Sequence, residues 1–146
     1  ASQKVGQSAA PLFLDRIDIQ CEISALPFKE LSKAAPGEPS AKIRERVIAA
    51  RALQTARFKD VPGVHCNAQM TERMIHQYAE PDEQGLDLMR LAMERLSLSA
   101  RAYSRILTVA RTIADLAASP TVRPEHISEA ITYRQLDRSD WAERGL

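Results

Sequence analysis

The chemistry this sequence can support begins with its arginines. Ser99 has the position of a helix N-cap ahead of a long apolar stripe, which puts Arg101 in the first helical turn. The helix dipole there favours anions and disfavours a cation by a few tenths of a kcal/mol, so a guanidinium makes sense at that point when an anion comes to meet it. Arg105 follows one turn later on the same face, where it either reinforces Arg101 or stands in solvent. Both residues also fit the polar side of an amphipathic helix. Arg16 opens the run RIDIQCEI, residues 16–23, whose strict alternation sets Ile17, Ile19, Cys21 and Ile23 against Arg16, Asp18, Gln20 and Glu22. That pattern predicts a half-buried strand. By residue type alone Arg16 is a surface arginine beside Asp15 and Asp18, or a cation held at the start of a rigid element.

A second concentration of charge lies between Ser40 and Lys59, where Lys42, Arg44, Arg46, Arg51, Arg57 and Lys59 face a single carboxylate, Glu45. On a helix Lys42, Arg46 and Arg57 share one stripe and Arg44 and Arg51 another. Such stripes either track a phosphate backbone or form a solvated face. No aromatic platform or recognition-helix signature accompanies them, so base reading is not expected. His65, Cys66 and His76 have no fourth ligand at a recognisable spacing, and no metal site is expected. The chain contains neither the GxxxxGK[ST] pattern of a phosphate loop nor an apolar strand closed by carboxylates. Without that nest, its lysine and ligands for Mg²⁺, the chain is not expected to hydrolyse ATP alone.

The elements that must position these residues are mostly helical. The chain has 146 residues, 45% apolar and 27% charged with a formal net charge of +1, which fits one globular domain and gives no overall bias toward nucleic acid or membrane. No apolar run approaches a membrane span and no secretory leader is recognisable, so a cytoplasmic protein is expected. A short helical turn over residues 28–33 ends at the breaker cluster APGEP. Ser40 is placed to cap a long helix to about Phe58, with Ile43, Val47, Ala50 and Leu53 as its buried face. A loop with Pro62 and Gly63 separates it from four further helices. Thr71, Asp82 and Ser99 are expected caps for the first three, and Pro124 is expected at the first position of the last. Leu86, Met89, Met93 and Leu96 are expected to face inward from the second of the four, and Tyr103, Ile106, Leu107, Ala110, Ile113, Ala114 and Ala117 from the third. The architecture expected is mainly α: a four-helix bundle preceded by a long basic helix and an orphan strand. A lone strand leaves its backbone groups unpaired, so its neighbours are expected upstream in a longer protein, and without them the run is expected to be irregular or paired with the same run of another copy.

Several islands in a fixed order carry a family resemblance: PLFLDRIDI (11–19), IRERVIAARALQTARF (43–58), NAQM (67–70), LSLSARAYSRILTVARTIADL (96–116) and HISEAITYRQLD (126–137). Together they resemble the magnesium-chelatase-like AAA+ ATPases over roughly residues 11–138. The resemblance implies a C-terminal fragment. Residues 1–26 would end the AAA+ core and 27–66 would hold the connecting turn, long basic helix and loop. Residues 67–137 would form the helical lid and 138–146 a polar tail. It assigns Arg16 as an arginine finger acting in a neighbouring subunit and Arg101 as the sensor-2 arginine on ATP phosphate, with Arg105 as a possible second phosphate contact. The run ahead of the finger departs from the family's Ser-Gly-Pro-Leu-Leu-Asp-Arg by what reads as one extra residue before Asp15. The intact parent is expected to be a hexameric homo-oligomeric ring using ATP and Mg²⁺. DNA is the expected substrate in the competence-protein branch, through helicase or branch-migration work, with Lys42, Arg46, Arg51 and Arg57 as candidate DNA contacts. The alternatives are a true magnesium chelatase subunit and a free-standing helical DNA-binding or adaptor module.

Overall fold

The computed structural model describes residues 16–21, 23, 25, 27 and 35–134. Its elements are helix α1 (Ser40–Arg57), a 3-10 turn (Asn67–Gln69), α2 (Glu72–Tyr78), α3 (Glu83–Leu96), α4 (Ala100–Leu116) and α5 (Pro124–Thr132). The mainly helical architecture expected from the sequence is what forms. The residue 28–33 turn and the 138–146 tail lie outside the described residues.

Local chemistry starts and stops the bundle helices. Thr71, Asp82 and Ser99 each accept a hydrogen bond from the backbone N–H three residues on, at Met74, Gly85 and Ala102. Each bond satisfies one of the donors a helix start would otherwise leave open. Pro124 opens α5, where its missing N–H removes a donor that has no helical partner. At the far end of α4, Ala118 takes the left-handed conformation at φ 51°, and the N–H groups of Ala118 and Ser119 return to the carbonyls of Asp115 and Ala114. That is a Schellman closure made without glycine.

Helix α4 is the centre of the packing, meeting α1, α2, α5 and the 3-10 turn, while α3 closes on α5. The core joins Ile106, Leu107, Ala110 and Ala114 of α4 to Ile75 and Ala79, Met89, and Ile127 and Ala130. A parallel backbone bridge between Pro81 and Val122 ties the starts of α3 and α5 side by side. The Pro81 side chain also lies close over the first turn of α3 and favours glycine at position 85, because a Cβ there would stand 2.7 Å from the Pro81 Cβ and 3.3 Å from Asp82 Oδ1. Gly85→Ala is therefore expected to lower unfolding free energy by about 1–3 kcal/mol, the usual cost of overpacking. A denaturant titration in which the midpoint held or rose would show that the Pro81 side chain yields without cost.

Three expectations are corrected. No strand forms among the described residues of the 16–23 run: residues 16–20 are irregular, and burial does not follow the alternation, with Gln20 buried, Ile17 partly buried, and Arg16, Asp18, Ile19, Cys21 and Ile23 exposed. With no neighbouring strand among the described residues, the alternation finds no sheet face to fill. In α1, Ile43, Val47 and Leu53 are exposed, and only Ala50 of the expected face is buried, together with Gln54. The helix meets the bundle through its C-terminal part, so apolar spacing nearer its start has no surface to cover. Ser40 is the first helical residue rather than a cap, with Pro39 at the N-cap position and no side-chain cap bond. The inward registers also shift slightly, with Leu86 and Ala117 exposed and Gly85 and Ala92 buried.

Candidate functional site

The two ends of α4 treat arginine in opposite ways. At the N-terminus, Ser99 caps the helix through Ala102, and Arg101 stands exposed in the first turn. A helix start carries partial positive charge, the kind of place where a phosphate is stabilised. One turn on, Arg105 reaches across to the segment before the bundle. Its Nη1 donates to the Arg16 carbonyl at 3.1 Å and to the Asp18 carboxylate, with which it forms an ion pair. Arg134 Nη1 donates to the Ile17 carbonyl at 3.0 Å, and the Gln20 N–H donates to the Tyr133 carbonyl at 2.9 Å. Residues 16–20 are thus laid against the bundle by backbone bonds, while Arg16 itself is exposed. The sequence-derived candidates Arg16 and Arg105 come together in this way, with Arg101 one turn from Arg105 on the same helix.

At the C-terminal end of α4 the charge is buried. Asp115, with a side chain 0% exposed, receives both arms of Arg57, with Nη1 at 2.9 Å from Oδ2 and Nη2 on Oδ1. Arg111, one turn earlier, donates from Nε to Asp115 Oδ1 at 3.2 Å, and its other nitrogens donate to the carbonyls of Ser119 and Pro120 at 2.6 and 3.0 Å. Those bonds cap the end of α4 with a cation, where the dipole favours one. Asn67 closes the cluster: Nδ2 donates to Asp115 Oδ2 and Thr112 Oγ1 at 2.8 and 3.0 Å, and its N–H donates to Gln54 Oε1 at 3.1 Å. Burial works to raise the Asp115 pKa, but donation from Arg57 and Asn67 and the charges of Arg111 and Arg57 outweigh it, and the carboxyl is held below its ordinary 3.8. Burial pushes the Arg111 guanidinium down, with Asp115 opposing.

This cluster sets Arg57 apart from the other basic residues of α1. Arg57 is not a member of a phosphate-tracking stripe, because its guanidinium is turned inward onto Asp115 and Asn67 and its side chain is 15% exposed. Arg46 forms an ion pair with Glu38, while Lys42 and Arg51 are exposed on α1. The histidines serve locally: His76 faces Glu80 at 3.2 Å, and His126 Nδ1 accepts from the Arg123 N–H at 3.0 Å at the start of α5. Among the described residues no three His, Cys, Asp or Glu side chains gather as a metal site. The residues that sequence reasoning missed are Gln54, Asn67, Arg111 and Asp115. The available signal was an Arg–Asp pair at i,i+4 set directly into the apolar stripe of α4.

The family model described as magnesium chelatase, subunit ChlI C-terminal, matches residues 37–134, which takes in all five helices of the described residues. The uncharacterised protein YifB of Escherichia coli is 39% identical over 127 residues, 86% of this chain and 24% of the relative. The competence protein ComM of Haemophilus influenzae is 35% identical over the same share of each. The chain therefore spans about a quarter of the length of these relatives. With a helical bundle of AAA+ lid type and a family match over most of its length, the chain belongs to the magnesium chelatase ChlI C-terminal family.

Proposed function

We propose that this chain is the lid and arginine-finger portion of a hexameric, ring-forming AAA+ ATPase that couples ATP hydrolysis to DNA remodelling in the cytoplasm. Residues 1–26 end the AAA+ core, 27–66 connect, 67–137 form the lid and 138–146 a tail. The observation that supports the reading most is the pairing of an exposed Arg101 at the capped start of α4 with an exposed Arg16 whose backbone is held against the same helix. In this reading ATP lies at subunit boundaries. The α4 N-terminus and Arg101 meet phosphate from their own lid, and Arg16 reaches the nucleotide of the next subunit. The Mg²⁺ that accompanies ATP, and the loop that cradles the phosphates, belong to parts of the parent beyond these residues. When bound, the nucleotide supplies a phosphoryl group on which negative charge grows during transfer, and a guanidinium answers that charge with fixed, forked donors. DNA is the substrate favoured by the likeness to a competence protein, with Lys42, Arg46 and Arg51 as its contacts on α1. A magnesium chelatase role is the second reading, favoured by the description of the matching family.

Mixed rings of the intact protein test the reading directly, because a ring with heterologous interfaces places each finger in its neighbour's site. A subunit with a disabled phosphate loop but an intact Arg16 is expected to restore hydrolysis in an adjacent Arg16→Ala subunit. If verified mixed rings never recover while wild-type subunits in them stay active, Arg16 is structural and the finger role falls.

A further inference from the structure

We propose that Arg105 is a positioning residue that locks the Arg16 segment onto the lid helix, so that the lid of one subunit and the finger it offers to the next move as one body. The inference rests on the reading of Arg16 and Arg101 given above and adds the device that couples them. Neither exposed arginine touches the other's expected nucleotide, and a ring whose sites fire independently would need no link between them.

The link is built from residues far apart in sequence. Arg105 lies 89 positions from the carbonyl it binds at Arg16 and 87 from the carboxylate it meets at Asp18. Arg134, 1% exposed, holds the Ile17 carbonyl, and the Tyr133 carbonyl holds the Gln20 N–H. Four residues of the segment, Arg16, Ile17, Asp18 and Gln20, are therefore each attached to the bundle. Arg105 brings α4 into that clamp. It stands four residues after Arg101, about 6 Å along the helix axis. Whatever tilts the start of α4 when Arg101 meets phosphate acts through a single rigid turn on the residue that grips the finger. A finger needs a free guanidinium on a fixed backbone, and that is the division seen at Arg16: the side chain is exposed and the carbonyl is bound. The sequence offered Arg105 as a second phosphate contact. Here its charge is met by Asp18, so it aims a neighbouring arginine instead of meeting the anion.

The clamp and the finger can be tested separately. In the 146-residue chain, hydrogen exchange at the Gln20 amide reads the segment's attachment without any nucleotide. Arg105→Ala and Asp18→Ala are each expected to speed that exchange about five- to tenfold, in keeping with loss of a partly exposed, charge-assisted contact. The helical amides of α4 and α5 should keep their protection. In the intact ring both variants are expected to slow ATP turnover on the order of 10- to 100-fold, the cost of misplacing a catalytic group by about an ångström, with ATP affinity unchanged. Arg105→Lys should recover part of the loss and the exchanged pair Arg105→Asp with Asp18→Arg most of it, which a merely damaged helix would not do. If Arg105→Ala weakens ATP binding while Asp18→Ala leaves turnover alone, Arg105 is a phosphate ligand and the proposal is wrong. Unchanged Gln20 exchange in both variants also overturns it, as does unchanged turnover in both when Arg16→Ala is inactive. Were Arg16→Ala itself fully active, the finger reading would fail, and with it the coupling, while the exchange result would still decide whether the clamp exists.

Discussion

Asp115→Ala is expected to cost about 3–5 kcal/mol of unfolding free energy, the range for removing one partner of a buried ion pair. Against a typical total of about 5–15 kcal/mol, that leaves a marginal or unfolded protein. The magnitude follows from what the carboxylate does. It answers two guanidiniums, Arg57 and Arg111, and accepts from Asn67, while its own side chain has no solvent exposure. Its loss leaves two cations around one cavity and Asn67 short of an acceptor. Urea unfolding of Asp115→Ala, Arg57→Met and the double variant gives the coupling, and the double is expected to cost distinctly less than the sum because the variants share one network. Additive losses would mean the two residues act independently. The same site sets an acid limit. Because the folded carboxyl titrates below 3.8 and the unfolded one near it, the ion cluster's contribution is fully present above that value. It is lost as the pH falls through the depressed folded value, and in Asp115→Asn that part of the acid sensitivity is expected to vanish.

Arg16→Ala in the intact ring is expected to slow ATP turnover by roughly 10³- to 10⁵-fold, the range for an arginine finger delivered in trans. Affinity for ATP should change little. A finger works on charge that develops as the phosphoryl group transfers, so its removal raises the barrier more than it weakens the ground-state complex. Arg101→Ala should behave differently, lowering both affinity and turnover, since a guanidinium at the helix start meets phosphate already charged when it binds. Calorimetric ATP binding beside steady-state turnover separates the two. Equal losses of affinity and turnover at Arg16 would place it on bound nucleotide rather than on the transition state.

What the sequence revealed and what it hid divide along a physical line. Thr71, Asp82, Ser99 and Pro124 were readable because a cap acts within three or four residues of itself. The core stripe of α4 was readable for the same reason, its period being local. The Asp115 cluster was half readable: Arg111 and Asp115 sit at i,i+4 in that stripe, but their partners Arg57 and Asn67 lie 58 and 48 residues before Asp115. Arg57 could not be told from its neighbours Arg46 and Arg51, which share its type and helix and differ only in what the fold brings opposite them. The run 16–23 misled because alternation reports the face a strand would offer, and its burial depends on a sheet that is not among the described residues.

The attachment of α1 has a mechanical consequence. The helix is 18 residues long, about 27 Å, and its buried positions Ala50 and Gln54, with Arg57 on Asp115, all lie in its last eight residues. Residues 40–49 are exposed, so more than half of the rod overhangs the bundle. It is a lever with its fulcrum at the ion cluster. A rotation of about 10° at the Arg57 end sweeps Ser40 through roughly 4–5 Å, given the rise of an α-helix. A sub-ångström repacking around Asp115 is thereby magnified at the tip, where Lys42 and Arg46 project, and the stiffness of the fulcrum sets how faithfully the far end follows the lid.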